Sequence, residues 1–276
     1  MKVKTIFAPI FLLFLVLCLK SNVSTAAEVS TMERLDYWDI TKEYTVAEQD
    51  VTYHTYLSKD KKESWIFKAD VAKDKKNVKV VIPDKIENAP VVIVGVTSGY
   101  EEILAKQNLG SVGIKGSDGS YYLDADVTFW GDFLEPWHYS GPYKKNIKSI
   151  TMPDTVRYLG TAAFAYTTSL ETIHLSNQLV SLRNYTFLGC KNLRKIDTSA
   201  KVKVEAKEAF TGCSKLAGLV YITKHLEGDT VSFSNNMVID LTEKDLVQVM
   251  PDAKKITIPK NVENIEAAAF ANTNIK

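Results

Sequence analysis

Histidine and cysteine, the side chains that most often hold metals or act as nucleophiles, are scarce in this sequence. Only four histidines and three cysteines occur in 276 residues, and one of those cysteines, Cys18, lies close to the N-terminus. No HExxH, CxxC, GxSxG or phosphate-loop motif is present. The usual signatures of zinc peptidases, disulfide oxidoreductases, serine hydrolases and P-loop nucleotidases are therefore missing. The sequence predicts no cofactor, no metal ligands and no catalytic residues.

An excess of charge of either sign is also absent. The chain has 34 lysine and arginine residues against 33 aspartate and glutamate residues. Residues 1–26 contain three of the lysines and no acid, so the rest of the chain has 31 basic and 33 acidic residues, a net charge of −2. This balance gives no reason to expect nucleic acid or an anionic membrane as a partner.

Long apolar runs are absent except at the N-terminus. Lys2 and Lys4 precede the 15-residue run TIFAPIFLLFLVLCL, and the small residues of STAA follow it. The run is short for a membrane span, and the whole pattern is typical of an export signal. We predict a signal peptide over 1–26 and a secreted or cell-surface protein with no membrane span in the mature chain. The N-terminal segment 27–50 shows no clear periodicity.

What the sequence does contain is an internal repeat. Phe164, Phe187 and Phe210 are 23 residues apart, and further copies of the surrounding pattern lie at 77–96 and 253–275. A fixed period of this length is typical of a solenoid, in which each turn buries its apolar face only against its neighbours. The sequence therefore predicts a stack of short, mostly β turns.

The repeats LETIHLSNQLVSLRNYTFLGCKNL and ITIPKNVENIEAAAF resemble the BspA-type leucine-rich repeat, L-x-x-I-x-I-P-x-x-V-x-x-I-x-x-x-A-F-x-x-C-x-x-L. The resemblance covers 77–96, 147–216 and 253–276. It implies a leucine-rich-repeat solenoid, mostly β with short helical turns, on a secreted or surface protein, and some members of the family are adhesins. Serine replaces the proline of the pattern at Ser176 and Ser199.

The repeat domain is predicted to span 51–276, with an N-terminal cap and two insertions. Two runs of β-branched and aromatic residues within 51–71 flank a polar tip, which predicts a β-hairpin, and this hairpin also resembles the usual cap of the family. Insertions are expected at about 97–146 and 217–252, where the period is broken. The pattern of the second insertion predicts a strand followed by a helix that begins near Thr242.

Alternation of side chains along a repeat strand predicts which residues face solvent. In ETIHLS, Ile173 and Leu175 are expected inside, whereas Thr172, His174 and Ser176 are expected outside. Stacked strands align equivalent positions, which predicts two outward columns: Ser149, Thr172, Lys195 and Lys255, and Thr151, His174, Asp197 and Thr257.

Equivalent positions also predict the interior. A buried spine of stacked rings is expected from Phe164, Phe187, Phe210 and Phe270. Cys190 and Cys213 occupy the same position in consecutive turns, so a disulfide is one possibility in an exported protein. Two buried free thiols are favoured, because equivalent positions carry parallel side chains and this position fills the core.

The sequence favours a secreted, non-enzymatic repeat protein for protein–protein interaction or adhesion, with an extracellular or cell-surface protein as partner. The predicted contact residues are Thr172, His174, Lys195, Asp197, Trp130 and Trp137. An alternative is a glycan-binding or glycan-hydrolysing module centred on 124–143, where four carboxylates lie among aromatic residues. A third hypothesis is a degenerate fragment without a ligand.

The last repeat has no polar closing unit after the final ANTNIK. An unclosed solenoid end exposes an unpaired strand and apolar surface. This end is therefore expected either to pair with another chain, as in self-association through the C-terminal repeat, or to mark a truncated reading frame.

Overall fold

The computed structural model describes residues 37–72, 74–95, 114–115, 121–122, 146–160, 163–183, 185–205, 208–222 and 225–275. In these residues the chain is mostly β, as predicted. The elements, in chain order, are β1 (Trp38–Glu48), β2 (Val51–Ser58), β3 (Ser64–Val71), β4 (Val78–Val81), β5 (Lys85–Ile86), β6 (Ala89–Val94), β7 (Ile114–Lys115), β8 (Tyr121–Tyr122), β9 (Ile147–Thr151), β10 (Tyr158–Leu159), β11 (Thr172–His174), β12 (Ser181–Leu182), β13 (Lys195–Asp197), β14 (Lys201–Val204), α1 (Ala217–Ile222), β15 (Thr230–Ser234), β16 (Met237–Asp240), β17 (Asp245–Val249) and β18 (Asn264–Ile265).

An antiparallel meander precedes the repeats. The two strands predicted within 51–71 are β2 and β3, and they pair antiparallel. β1 lies in the segment without clear periodicity, where no strand was predicted, and it pairs antiparallel with β2. β3 then pairs in parallel with β6, so the meander is continuous with the first repeat. One face of the meander contributes Tyr53 and Ile66 to the main core, and the other contributes Tyr56 and Trp65 to an aromatic cluster.

Charged side chains join the three strands of the meander. His54 Nδ1 lies 2.5 Å from Glu43 Oε1, and its Nε2 lies 2.8 Å from Asp70 Oδ2. Lys68 Nζ lies 2.8 Å from the second Asp70 oxygen. The hydrogen bond with Asp70 raises the pKa of His54, and the same bond lowers the pKa of Asp70 to about 2. β1, β2 and β3 each supply a member, so the cluster ties the meander together.

We expect His54→Gln to destabilise the fold more at about pH 5.5 than at about pH 9, by roughly 1 kcal/mol or more. Because the pKa of His54 is raised on folding, its protonated form contributes fully below the unfolded value, about 6.5, and the contribution is lost as pH rises through the folded value. The pKa of Asp70 is lowered to about 2, so the contribution of its ionised carboxylate to the unfolding free energy is lost only as pH falls toward about 2. Urea unfolding of both proteins across this range measures the difference.

The matched control is His225→Gln, which replaces an exposed histidine outside the meander. It is expected to change the unfolding free energy by less than about 0.5 kcal/mol. A penalty for His54→Gln that is the same at both pH values would contradict the charged cluster described here.

The repeats supply strands to ladders of parallel pairs. The largest is the four-stranded sheet β4–β9–β11–β13, in which Ser149, Thr172 and Lys195 lie side by side. Their spacing of 23 residues is the period of the sequence, so each repeat places the same position beside its neighbour. Two further parallel pairs, β6 with β10 and β12 with β14, come from the second strand of each repeat.

The predicted phenylalanine spine is confirmed for three of its four members. Phe164, Phe187 and Phe210 are buried, with neighbouring ring centroids 5.7 and 5.6 Å apart and ring planes 20° and 18° apart. The prediction for Phe270 is wrong, because its side chain is 41% exposed. Phe233, at the next 23-residue step after Phe210, is buried and lies against it at 6.3 Å. The period therefore continues into the segment that was predicted to interrupt it.

Residues 217–252 form α1 and the antiparallel strands β15, β16 and β17, which extend β14 into a six-stranded sheet. The predicted order of strand then helix is wrong. Asp240 accepts hydrogen bonds from the amides of Thr242 and Glu243, and this turn leads into β17 rather than into a helix. Leu246 to Val249 are buried on both faces of the sheet, and such a short apolar run has the same pattern as a buried helix segment.

One backbone conformation recurs with the phenylalanines. The residue two positions after each of them has a positive φ angle: Tyr166, Gly189, Gly212, Asn235 and Asn272. Glycine and asparagine adopt this left-handed conformation readily. Tyr166 is the exception, and its ring lies directly over Gly189, where an added Cβ would be 2.7 Å away. A left-handed residue thus follows the phenylalanine at the same distance in each of these five places.

Cys190 and Cys213 are free and buried, as predicted. Each thiol donates to the carbonyl oxygen of the phenylalanine one turn earlier, Phe164 at 3.1 Å and Phe187 at 3.0 Å. Burial raises the pKa of Cys213 to about 12. The thiols therefore link successive turns by hydrogen bonds, and Cys213 is held in its protonated form.

Candidate functional site

The sheet β4–β9–β11–β13 presents two columns of side chains to solvent, here called the outward face. The columns are Lys79, Ser149, Thr172 and Lys195, and Val81, Thr151, His174 and Asp197. The residues between the columns, Val80, Ile150, Ile173 and Ile196, are buried. Because side chains alternate along a strand, each strand offers two residues to a partner and buries the one between them.

Four of the predicted contact residues meet on this face. Thr172 lies beside Lys195 in one column, and His174 lies beside Asp197 in the other. His174 Nδ1 is 3.2 Å from Asp197 Oδ2. All four side chains are exposed or half-exposed. Their grouping follows from the parallel register.

That register repeats the 23-residue period of the sequence. The family model of the BspA type leucine rich repeat region matches residues 142–276, in six copies. Residues 142–276 belong to the BspA-type leucine-rich-repeat family.

Solved structures of three other proteins are similar to this chain at low identity. The T. pallidum leucine rich repeat protein TpLRR is 16% identical over 63% of this chain and 92% of that chain, with a TM-score of 0.26. A leucine rich cell surface protein from Faecalibacterium prausnitzii A2-165 is 12% identical over 85% of this chain and 69% of that chain, with a TM-score of 0.24. The pneumococcal vaccine antigen PcpA is 12% identical over 84% of this chain and 63% of that chain, with a TM-score of 0.22. No curated protein matches the chain.

The BspA-type repeats supply the outward face only as far as β13. Lys255 and Thr257, which were predicted to extend the columns, belong to no strand and pair with none of the described strands, so this prediction is wrong. One period after β13 the chain forms α1 instead, and the Gly218 amide of that helix donates to Gln248 Oε1 at 2.6 Å. A helix at this position cannot continue a parallel ladder, which limits the outward face to four strands.

Ser176 lies just beyond one edge of the outward face. It was predicted to point outward, but it is buried. Its hydroxyl accepts a hydrogen bond from the Gln178 amide, and its carbonyl oxygen accepts one from the Thr198 hydroxyl at 3.0 Å. β11 has already ended at His174, so the alternation that placed Ser176 outside no longer applies.

Ion pairs run along the other edge of the outward face, and the sequence reasoning missed them. Glu171 lies 3.4 Å from Lys148 Nζ and 2.8 Å from Arg194 Nη2, and Arg194 also pairs with Asp252. The hydrogen bond from Arg194 lowers the pKa of Glu171. Lys148, Glu171 and Arg194 are 23 residues apart, so alternating charge at the period was the signal that could have revealed this edge.

The outward face combines several kinds of contact. Val81 is 50% exposed at one end of its column and can provide apolar contact. Thr151 and Thr172 provide hydroxyl groups, and Lys195 and Asp197 provide charges of both signs at the other end. Neighbouring strands hold these groups about 4.8 Å apart in fixed rows. Such a surface can bind a partner through hydrogen bonds, charge pairs and apolar contact together.

Other predicted features fall elsewhere in the chain. Trp130 and Trp137, with the rest of 124–143, lie outside the residues that the structure describes, and so does the predicted signal peptide, 1–26. Within the described ranges, no three His, Cys, Asp or Glu side chains are grouped so that they could hold a metal ion. No helix in those ranges has the length and apolar character of a membrane span.

Proposed function

We propose that this chain is a secreted, non-enzymatic repeat protein that binds an extracellular or cell-surface protein through its outward face. The observation that carries the proposal is the pair of exposed columns, which bring Thr172, Lys195, His174 and Asp197 together. Stacked repeats commonly use such extended surfaces for binding. Strands held in register lose little further freedom on association, which favours their use as an interface.

The proposed architecture is one solenoid whose first turn is capped by the meander β1–β2–β3. The meander packs Tyr53 and Ile66 into the repeat core, and β3 pairs with β6. At its tip Glu63 accepts a hydrogen bond from Tyr37 at 2.7 Å and forms an ion pair with Arg157, which precedes β10. These contacts support a capping role, because a first turn without a cap would expose apolar surface and an unpaired strand.

The proposed export rests on residues 1–26, in which lysines, an apolar run and small residues follow one another in the order of an export signal. The cysteines suit an oxidising environment. Cys190 and Cys213 are buried, and burial protects thiols from oxidation.

Charge reversal on the outward face tests the proposed binding. The double variant Lys195→Glu with Asp197→Lys preserves the net charge and changes positions that are exposed or half-exposed, so it should alter the unfolding free energy by less than about 0.5 kcal/mol. We expect it to weaken capture of extracellular-matrix proteins by the purified chain about tenfold or more, since charges that face the wrong sign oppose association. Pull-down followed by titration of the captured protein measures the effect.

The matched control is Lys244→Glu with Glu263→Lys, which reverses an exposed ion pair away from the outward face. This variant should capture the same proteins as the wild type. Equal loss in both variants, or full capture by the outward-face variant, would contradict the proposal. Loss in Trp130→Ala with Trp137→Ala alone, together with cleavage of chromogenic glycosides, would favour the glycan alternative.

A further inference from the structure

Two lysines of the outward face have no carboxylate partner among the described residues. Lys79 and Lys195 occupy the ends of one column, on β4 and β13, and neither forms an ion pair with a residue that the structure describes. Ser149 and Thr172, which lie between them, are uncharged. The two lysines are three strand spacings apart, roughly 14 Å. Lys79 is exposed and Lys195 is half-exposed, so both amines can reach a bound protein.

The carboxylates nearest to this column are engaged by other side chains. Asp197 lies 3.2 Å from His174 Nδ1, and Glu171 is shared between Lys148 and Arg194. The positive charge at the two ends of the column is therefore left uncompensated by these acids. The excess is local, since the whole chain has 34 basic and 33 acidic residues.

The turn that leads into β4 adds to the charge at one end of the column. Lys75 and Lys76 are exposed, and neither forms an ion pair with a described residue. Asp74 is the acid of the same turn and is exposed as well. With Lys79, three lysines lie beside one carboxylate at this end of the outward face.

We propose that the outward face binds its protein partner through acidic side chains that the partner presents to Lys79 and Lys195. This inference rests on the proposed function and assigns the chemistry of the partner at the same face. Opposite charges across an interface speed association and disfavour partners of the wrong charge. Carboxylates four residues apart on an extended strand point the same way and lie about 14 Å apart, which matches the separation of the two lysines.

A polypeptide suits the outward face better than an anionic polysaccharide does. Asp197 and Glu171 lie on the face and at its edge, and a partner of uniformly negative charge would be repelled by both. Val81 is 50% exposed, and Thr151 offers a hydroxyl group in the same column. A protein can place apolar and neutral groups against these residues and carboxylates against the lysines.

A change of charge at Thr172 tests the sign of the partner. Thr172 is half-exposed and shares the column of the two lysines. Thr172→Lys should tighten binding of a matrix protein captured by the wild type about threefold or more, and Thr172→Glu should weaken it by a similar factor. Thr172→Gln is the uncharged control of similar size and should lie between them. Surface plasmon resonance measures the affinities, and both effects should shrink as salt is raised from about 50 to about 150 mM.

A synthetic peptide tests the same inference without a captured protein. The probe carries two glutamates four residues apart in an otherwise uncharged sequence, and its control carries lysines in their place. The glutamate peptide should bind the wild type more tightly than the lysine peptide does. Lys79→Gln with Lys195→Gln should weaken that binding about tenfold or more. Lys201→Gln with Lys203→Gln removes two exposed lysines of β14, outside the outward face, and should bind the peptide like the wild type.

The outcomes separate this inference from the proposed function. A captured protein whose binding ignores the charge at position 172, a glutamate peptide that fails to bind, or equal loss in the β14 variant would each overturn the acidic partner. Capture through the outward face would still support the proposed function in those cases. Peptide binding that needs both lysines, without capture of any matrix protein, would support the acidic site and contradict the proposed function as tested. Heparin that binds at these lysines more tightly than the peptide would assign the site to a polysaccharide and overturn the protein partner.

Discussion

Phe187→Ala is expected to lower the free energy of unfolding by about 3–5 kcal/mol. Phe187 is fully buried, and its ring is stacked on both sides, 5.7 Å from Phe164 and 5.6 Å from Phe210. Truncation removes the transfer free energy of the ring and leaves a cavity between two turns. Parallel backbone pairing holds those turns at a fixed separation, so the cavity cannot collapse fully. Urea unfolding of the purified protein measures the loss.

Two variants separate this effect from a general sensitivity to mutation. Thr172→Ala, at a half-exposed position of the outward face, should cost less than about 0.5 kcal/mol. Phe270→Ala should cost much less than Phe187→Ala, because Phe270 is outside the stacked spine. Equal losses at Phe187 and Thr172 would mean that the register is wrong, and equal losses at Phe187 and Phe270 would restore the spine predicted from the sequence.

Gly218→Ala is expected to destabilise the fold by about 3 kcal/mol, at the upper end of the usual cost of overpacking. A Cβ at Gly218 would lie 2.2 Å from the carbonyl oxygen of Val247 and 2.9 Å from Gln248 Oε1. The first of these atoms belongs to the backbone of β17, which cannot yield as a flexible side chain would. α1 must therefore move away from the sheet, which also breaks the hydrogen bond from the Gly218 amide to Gln248.

Gly228→Ala is the control for Gly218→Ala. Gly228 has a φ of +96°, but no atom lies within 4 Å of the added Cβ, so its cost is backbone strain alone, about 1–2 kcal/mol. Thermal unfolding of both variants at one pH compares them. A smaller loss for Gly218→Ala than for Gly228→Ala would show that α1 does not pack on β17 as described.

The repeated part of the fold was predictable because residues that are 23 positions apart in the sequence lie side by side in neighbouring strands. Once Ser149, Thr172 and Lys195 were recognised as equivalent, their adjacency in the sheet followed without any other information. The same argument placed Phe164, Phe187 and Phe210 in one stack. Four of the six contact residues were placed on the outward face in this way.

The failures have separate physical reasons, and at Phe270 the reason is that burial depends on the neighbouring turn. Phe270 and Phe164 have nearly the same local sequence, AAAF and TAAF, yet one is exposed and the other is buried. Nothing within either repeat states whether another turn lies against it. Ser176 was misplaced because alternation stops where β11 ends. β17 was predicted to be part of a helix because both of its faces are buried, which removes the alternation that marks a strand.

The six-stranded sheet that contains β15, β16 and β17 has a consequence for chain direction. β12 and β14 run the same way, but the three antiparallel steps from β14 to β17 leave β17 pointing the opposite way, and β18 is parallel to β17. The last repeat therefore has reversed polarity within this sheet, and no 23-residue translation can map it onto the earlier turns. An odd number of antiparallel pairings between β14 and β17 reverses the chain direction, whereas an even number would restore it. Excision of one whole turn from 147–216 would shorten the stack and keep its direction, whereas loss of any one of the three hairpin strands would turn the last repeat through 180°.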